Sequence, residues 1–356
     1  MQVIYEHTRN WDNKIYIDTR TAEEFQEATI PDAVNLEVLN FEERREVSIL
    51  YNQGLKQKSY LKGVKFIAPK LPDLLEKLAE LSRRYDKLIL FCSRGGMRSE
   101  SLSATAGLIN LEVYKLKGGY KAYRQYVLQR LNNFKLKAEL IVLHGNTGCG
   151  KTEVLEKLEE RGCPVINLER LANHRGSAFG SIDLGQAHNQ KYFDSLLLER
   201  LEELQGSPFI FTEAESRRIG YSVLPGWWME KMETGQHILL EASLECRVER
   251  IYQEYAASYE KDPRGFRNRV RESLRGIEKY LIKNIGKAGY QELLELLEQG
   301  EIKEMIRRLL RDYYDYFYSY AQKSQEQFAL KLTGCRSEKL ADEIIKSSEQ
   351  FHYYQT

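Results

Sequence analysis

The sequence has no apolar run long enough to cross a membrane, and its five cysteines (Cys92, Cys149, Cys163, Cys246 and Cys335) include no C-x-x-C pair. The first absence excludes a helical integral membrane protein. The second, with the scatter and odd number of the thiols, argues against a disulfide framework or a zinc site and for a reducing compartment, the cytoplasm. The opening MQVIYEHTRN also lacks the charged-then-apolar pattern of a secretory signal. No charge of one sign dominates: 53 Lys and Arg against 52 Asp and Glu leave a formal +1, so any nucleic-acid binding must come from local patches. Internal repeats and low-complexity tracts are absent. What is there is an ordinary balance, 42% hydrophobic and 29% charged over 356 residues, enough for two cores and an extension.

Strand-like and helix-like segments alternate in the first part of the chain. KIYIDTR (14–20) and KLILFC (87–92) predict buried strands, the stretch after Pro69 and Pro72 and then SESLSATAGLIN predict helices, and VYKLKGGY predicts a strand and turn. This alternation implies a parallel sheet, on which functional groups collect at the C-terminal ends of strands. YKAYRQYVLQRLNNFKLK reads as a closing helix and connector. ELIVLH then starts a second α/β region that continues through HILLEASL (237–244), and everything beyond reads as helical, charged and tyrosine-rich. The expected division is 1–133, 134–250 and a helical extension over 251–356.

GNTGCGKT, comprising Gly145, Asn146, Thr147, Gly148, Cys149, Gly150, Lys151 and Thr152, fits G-x-x-x-x-G-K-[ST] at every fixed position. A strand precedes it and TEVLEKLEE follows as a helix, so backbone N–H groups and a helix N-terminus can cradle phosphate. Lys151 is expected to neutralise terminal phosphate charge and Thr152 to ligand Mg²⁺, while Cys149 reads as a small filler. Downstream, PFIFTEAESRRIG (208–220) is a strand ending in acids, with Glu213 and Glu215 as the candidate carboxylates.

The run from Cys92 to Arg98 is C-x5-R with Gly95 and Gly96 inside it and Arg94 beside them. Amides and arginines around a strand-end cysteine favour the thiolate, a nucleophile. With IYIDTRTAEEF, ATIPDAVNL and LKGGYKAYR (116–124), residues 1 to about 130 resemble a rhodanese domain, with Thr29 where that family commonly has His and Asp32 where it has Gly. The common rhodanese loop is one residue shorter, and related phosphatases use the longer form for a phosphate. The longer loop leaves room for a tetrahedral oxyanion beside the thiol.

A thiol loop followed by a phosphate loop resembles the tRNA 2-selenouridine synthases, in which a rhodanese domain is fused to a P-loop domain. CSRGGMRS, GNTGCGKT, TEAESRRIG and above all LANHRGSAFG (171–180), with His174, Arg175, Gly176 and Ser177, carry that likeness. Ala214 departs from it, since an acidic residue is common there. The resemblance implies an α/β protein: a rhodanese-like parallel-sheet domain plus a P-loop NTPase-like α/β domain with a C-terminal helical extension. It implies a transferase acting on the wobble 2-thiouridine of tRNA, alkylating sulfur with geranyl diphosphate and then installing selenium from selenophosphate. Cys92 would either carry selenium as a perselenide or help bind selenophosphate, and Arg94 and Arg98 would hold the donor's oxyanion. RGFRNRVRESLRGIEKYLIKNIGK (264–287) is the candidate tRNA-contacting patch; no membrane partner is expected. The tyrosines of RRLLRDYYDYFYSYAQK (307–323) read as core or interface. The alternative is an ATP-dependent sulfurtransferase or kinase supplied with sulfur by the first domain.

Overall fold

The computed structural model describes residues 1–180, 182, 184–316 and 328–353. The chain forms two compact units: residues 1–134 with 188–199, and residues 135–187 with 200–356.

In the first unit, β1 (Gln2–Val3), β2 (Lys14–Asp18), β3 (Val34–Asn35), β4 (Lys87–Phe91) and β5 (Tyr114–Leu116) make a parallel sheet in the order β1-β5-β4-β2-β3. Alternation along β2 explains its burial. Ile15 and Ile17 join a core with Leu88, Leu90, Leu78 and Leu102. Tyr16 faces a tyrosine group, its ring 5.6 Å from that of Tyr5, which in turn meets Tyr123 edge-on at 4.6 Å. Leu88, Ile89, Leu90 and Phe91 of β4 are all buried, so both faces of that central strand are covered.

Asp18, the last residue of β2, forms a buried ion pair with Arg20, which also donates to Ala28 O (2.6 Å) and lies 4.1 Å over the Tyr120 ring. Thr29 donates to Asp18 Oδ2 at 2.8 Å, so the hydroxyl completes this buried network where a rhodanese His is common. Asp32 has φ 59°, a left-handed conformation that suits Gly and that Asp adopts more readily than most residues.

The second unit holds β6 (Glu139–His144), β7 (Val165–Ile166), β8 (Phe209–Glu213), a short hairpin of β9 (Arg218–Ile219) and β10 (Ser222–Val223), β11 (Gln236–Glu241) and β12 (Leu330–Thr333). Its main sheet is parallel, ordered β12-β11-β6-β8-β7. Ile141, Leu143, Phe211, Ile238 and Leu240 pack there against Leu155 and Leu158 of the helix Lys151–Glu160. Helices Leu244–Lys261, Pro263–Gly276, Glu278–Gln299 and Ile302–Leu309 follow. Among the described residues no helix is long and apolar enough to cross a membrane.

Two expectations need correction. The chain beyond residue 244 is not helical throughout: LKLT (330–333) is β12, an edge strand on β11, and the helix Ser337–Tyr353 returns Leu340, Ala341 and Ile344 to the P-loop core. Four residues with one buried leucine are too short to show a period. The cysteines are not all free either: Cys246 and Cys335, 89 positions apart, are disulfide-bonded with Cα atoms 5.8 Å apart. Sequence spacing says nothing about that proximity, which arises when β12 comes alongside β11. Of the tyrosine-rich stretch 307–323, Tyr313 is buried in the helical core and Tyr316 is exposed; residues 317–323 lie outside the described residues.

Candidate functional site

In the first unit β4 delivers Cys92 to a loop closed by the helix Met97–Ala106. Backbone N–H groups of Arg94, Gly96 and Ser99 converge on its sulfur together with the Ser99 hydroxyl; Gly96 N is 3.1 Å and Ser99 Oγ 3.3 Å from Sγ. Burial alone would raise the thiol pKa, but the Ser99 and amide hydrogen bonds and the Arg98 charge outweigh it and lower the pKa. The Gly118–Gly119 turn lies against the loop: Tyr120 N donates to Cys92 O at 2.8 Å, and a Cβ on Gly119 (φ 57°) would overlap that oxygen. The second of the two glycines in LKGGYKAYR is therefore required by close approach.

Arg98 is committed to bracing this loop. It donates to Glu24 Oε2 (2.5 Å) and Ser93 Oγ (2.7 Å), and Ser93 donates in turn to Glu24. Burial would raise the Glu24 carboxyl, yet its bonds to Arg98 and Ser93 and the charge of Arg44 hold it at about 2. The Arg94 side chain is exposed, so of the two arginines it is the one presented to solvent.

In the second unit the loop Gly145–Thr152 joins β6 to its helix. Lys151 Nζ donates to Gly145 O at 3.0 Å, folding the ammonium back toward the loop. Gly150 has φ 94°, and a Cβ there would lie 2.9 Å from the Arg250 guanidinium carbon. Cys149 is buried in the sheet core, as a filler would be. Two arginines that the sequence reading missed clamp the loop from one helix, at i and i+3: Arg247 Nε donates to Thr147 O (2.9 Å) and Arg250 Nη1 to Gly148 O (2.7 Å). Arg247 also bonds Asp315, which accepts from Asn146 at 3.1 Å.

An acidic group lies beside the loop. Thr152 Oγ1 donates to Glu169 Oε2 at 3.0 Å, and Glu169 N donates to Glu213 Oε1 at 2.8 Å. Glu169 was another residue missed by sequence; its signal, an acid just after β7, is weak in so charged a chain. Burial, then the neighbouring Glu169, push Glu213 up to about 8, and Glu213 Oε2 is buried with no hydrogen-bond partner. Glu215 is also raised, by burial and Glu169, with Lys151 opposing. Among the described residues no three His, Cys, Asp or Glu side chains form a metal cage. Mg²⁺ does not need one, since it takes a hydroxyl, one or two carboxylates and phosphate oxygens. Thr152 with Glu169 and Glu215 fits that demand, and the crowded, proton-retaining carboxylates are what a cation would relieve.

A stability test follows. A carboxyl whose folded pKa exceeds its unfolded value stabilises the fold below the unfolded pKa and loses that contribution as pH rises through the folded one. Glu213 should therefore make the protein less stable from pH 4.5 up to about 8. His144, which burial and His237 lower to about 4, is neutral above 7 and does not interfere there. In melts at pH 7 to 8.5, Glu213→Gln should be more stable than wild type by on the order of a few kcal/mol. A variant that melts lower than wild type at pH 8 would contradict this.

The structure brings the LANHRGSAFG insert to the same place. Arg175, Gly176 and Ser177 line the cavity that also contacts Lys151, Thr152, Glu169 and Glu215. The Cβ position of Gly176 lies 3.0 Å from carboxyl oxygens of both Glu169 and Glu215. Arg175 pairs with Glu254, donates to Ile182 O (2.7 Å) and lies 4.9 Å over the Tyr255 ring, whereas Ser177 Oγ accepts from Phe179 N. His174 Nδ1 accepts from Gly176 N at 3.1 Å; burial lowers its pKa against the pull of Glu169. Ala214, in the strand-end segment between the two carboxylates, donates its N–H to Leu143 O. On the segment 264–287, Phe266, Val270 and Leu274 are buried, while Arg264, Arg275, Lys279, Lys283, Lys287 and Tyr280 are exposed. Arg271 is tied to Glu298.

Residues 4–126 match the rhodanese-like domain family, and residues 138–348 match the family described as tRNA 2-selenouridine synthase AAA domain. The chain is similar to the tRNA 2-selenouridine synthase of Hydrogenovibrio crunogenus, 33% identical over 89% of this chain and 91% of that one. It is likewise similar to that of Cupriavidus necator, 32% identical over 90% and 91%, and that of Bdellovibrio bacteriovorus, 30% identical over 85% and 87%.

Proposed function

Because the chain belongs to the tRNA 2-selenouridine synthase family, we propose that it converts the wobble 2-thiouridine of tRNA to 2-selenouridine in two reactions. It is an enzyme acting on tRNA. In the first reaction the thiocarbonyl sulfur displaces diphosphate from geranyl diphosphate. A C–S bond forms, the C–O bond breaks with its electron pair leaving on diphosphate, and the base gives up its N3 proton to solvent. In the second, selenium from selenophosphate attacks C2 and geranylthiol departs; hydrolysis of the Se–P bond then releases phosphate and the selenocarbonyl. The order has a chemical reason. A bare thiocarbonyl is a poor electrophile with a poor leaving group, and S-alkylation corrects both.

The loop Gly145–Thr152 binds the diphosphate and stabilises charge as it develops on the leaving group, with Lys151 as the principal cation. Mg²⁺, held by Thr152 and the Glu169 and Glu215 carboxylates, would add positive charge there. Arg247 and Arg250 keep the loop in shape. Cys92, in its ring of amides, serves the selenium step, with Arg94 on the donor's oxyanion and Arg98 fixing the loop through Glu24. Electron balance favours selenophosphate bound at this loop over a perselenide. Selenium in selenophosphate is already at the selenide level, whereas delivery from a perselenide ends in an S–Se bond that a second thiol must reduce. Cys92 is the one cysteine in the first unit. Exposed Arg264, Arg275, Lys279, Lys283 and Lys287, with Tyr280 beside them, supply phosphate contacts and a stacking face for tRNA.

The observation that most supports this reading is a pairing in one chain: a cysteine with a lowered pKa under three amides, and a phosphate loop with Lys151 folded toward it. Mass spectrometry of tRNA nucleosides from cells with and without the gene tests it. Loss of selenouridine with gain of 2-thiouridine is expected; unchanged nucleosides would overturn it.

A further inference from the structure

Resting on the two-reaction reading above, we infer that the cavity shared by the phosphate loop and the C-terminal helices holds the isoprenoid chain, and that Met305, Ile306 and Leu309 limit its length. The cavity measures about 870 Å³, within the range of small-molecule sites. Part of its lining is polar, from Gly148, Gly150, Lys151 and Thr152. Charged side chains such as Glu169, Glu215, Arg250 and Glu254 also border it, and one wall is hydrocarbon: Ile302, Met305, Ile306 and Leu309 recur at i, i+3, i+4 and i+7 on one face of their helix, and Phe266 and Val270 stand one turn apart on another. Each of these six apolar residues is under 10% exposed, yet each borders the same open volume.

Close-packed interiors do not keep a space of this size. An occupant must therefore match a charged phosphate loop and an aliphatic wall at once. The base and ribose of a nucleotide would bring hydrogen-bonding groups to Met, Ile and Leu side chains that cannot answer them. A hydrocarbon esterified to diphosphate brings none, and releases water from both surfaces on binding. Chain length is then read by how far the wall lets the hydrocarbon extend.

The test is alkylation of 2-thiouridine-containing tRNA by the full-length chain, offered dimethylallyl, geranyl or farnesyl diphosphate. Ile306→Trp, which fills the cavity, should lower kcat/KM for geranyl diphosphate at least tenfold and leave dimethylallyl within threefold. Met305→Ala and Leu309→Ala, which enlarge it, should raise the farnesyl-to-geranyl ratio at least tenfold. Unchanged ratios in all three variants, with wild-type circular dichroism, would overturn the assignment while leaving the functional reading intact. Wild-type protein that alkylates tRNA with none of the three would sink the reading itself, and the inference with it.

Discussion

Lys151→Ala should reduce S-geranylation of tRNA by about 10²–10³-fold while leaving the selenium step on pre-geranylated tRNA within a factor of two. The size follows from the role: removing one preorganised group from a developing anion typically loses two to three decades. Here the anion is a diphosphate carrying the electron pair of the broken C–O bond, and Lys151 is the side-chain ammonium folded toward the loop that would receive it. Fold damage is a weak competing explanation, because Lys151 is half-buried and the loop is held independently by Arg247 and Arg250. The informative measurement is single-turnover geranylation followed by nucleoside mass spectrometry. A normal yield from the Lys151 variant would remove the phosphate loop from the first reaction. Rapid Lys151-dependent ATP hydrolysis in the presence of tRNA would instead favour the ATP-dependent sulfurtransferase.

The two loops were legible in the sequence because each is a local signal: strand, glycine-rich turn and helix follow one another within residues 87–106 and 139–160. The α/β alternation was legible for the same reason. What sequence did not reveal depends on partners far along the chain. Arg247 and Arg250 look like solvated charges on an amphipathic helix until the helix is seen against Thr147 and Gly148, a hundred residues away. Glu169 is one acid among many until the sheet order sets β7 beside β8 and brings it to Thr152 and Glu213. β12 and the Cys246–Cys335 bond come from a return of the chain that no periodicity encodes. The wall of Ile302, Met305, Ile306 and Leu309 has the pattern of any core-facing helix. Periodicity identifies the apolar face but not whether side chains or a ligand will cover it. Arg98 shows the converse, since the C-x5-R spacing identifies the residue but not that Glu24 already engages it.

Cys92→Ser separates the two reactions from the other side. A hydroxyl keeps the shape and can still meet the Gly96 amide and the Ser99 hydroxyl, but it does not ionise near neutrality. The variant should therefore fold and geranylate tRNA within a factor of two of wild type, yet lose selenation by at least a hundredfold, so that S-geranyl-thiouridine accumulates. The same experiment decides how the thiol acts. If Cys92 carries selenium, wild-type protein treated with selenophosphate and a two-electron oxidant, which selenide-level selenium needs to form an S–Se bond, and digested without reductant should yield a Cys92 peptide heavier by one selenium atom. If the loop binds selenophosphate as an oxyanion, that peptide is unmodified and inorganic phosphate competes with the donor. The electron balance and the single cysteine of the first unit favour the second result. Unimpaired selenation by the serine variant would exclude Cys92 as the selenium carrier, because a hydroxyl does not supply the thiolate that the amides and Arg98 favour on sulfur.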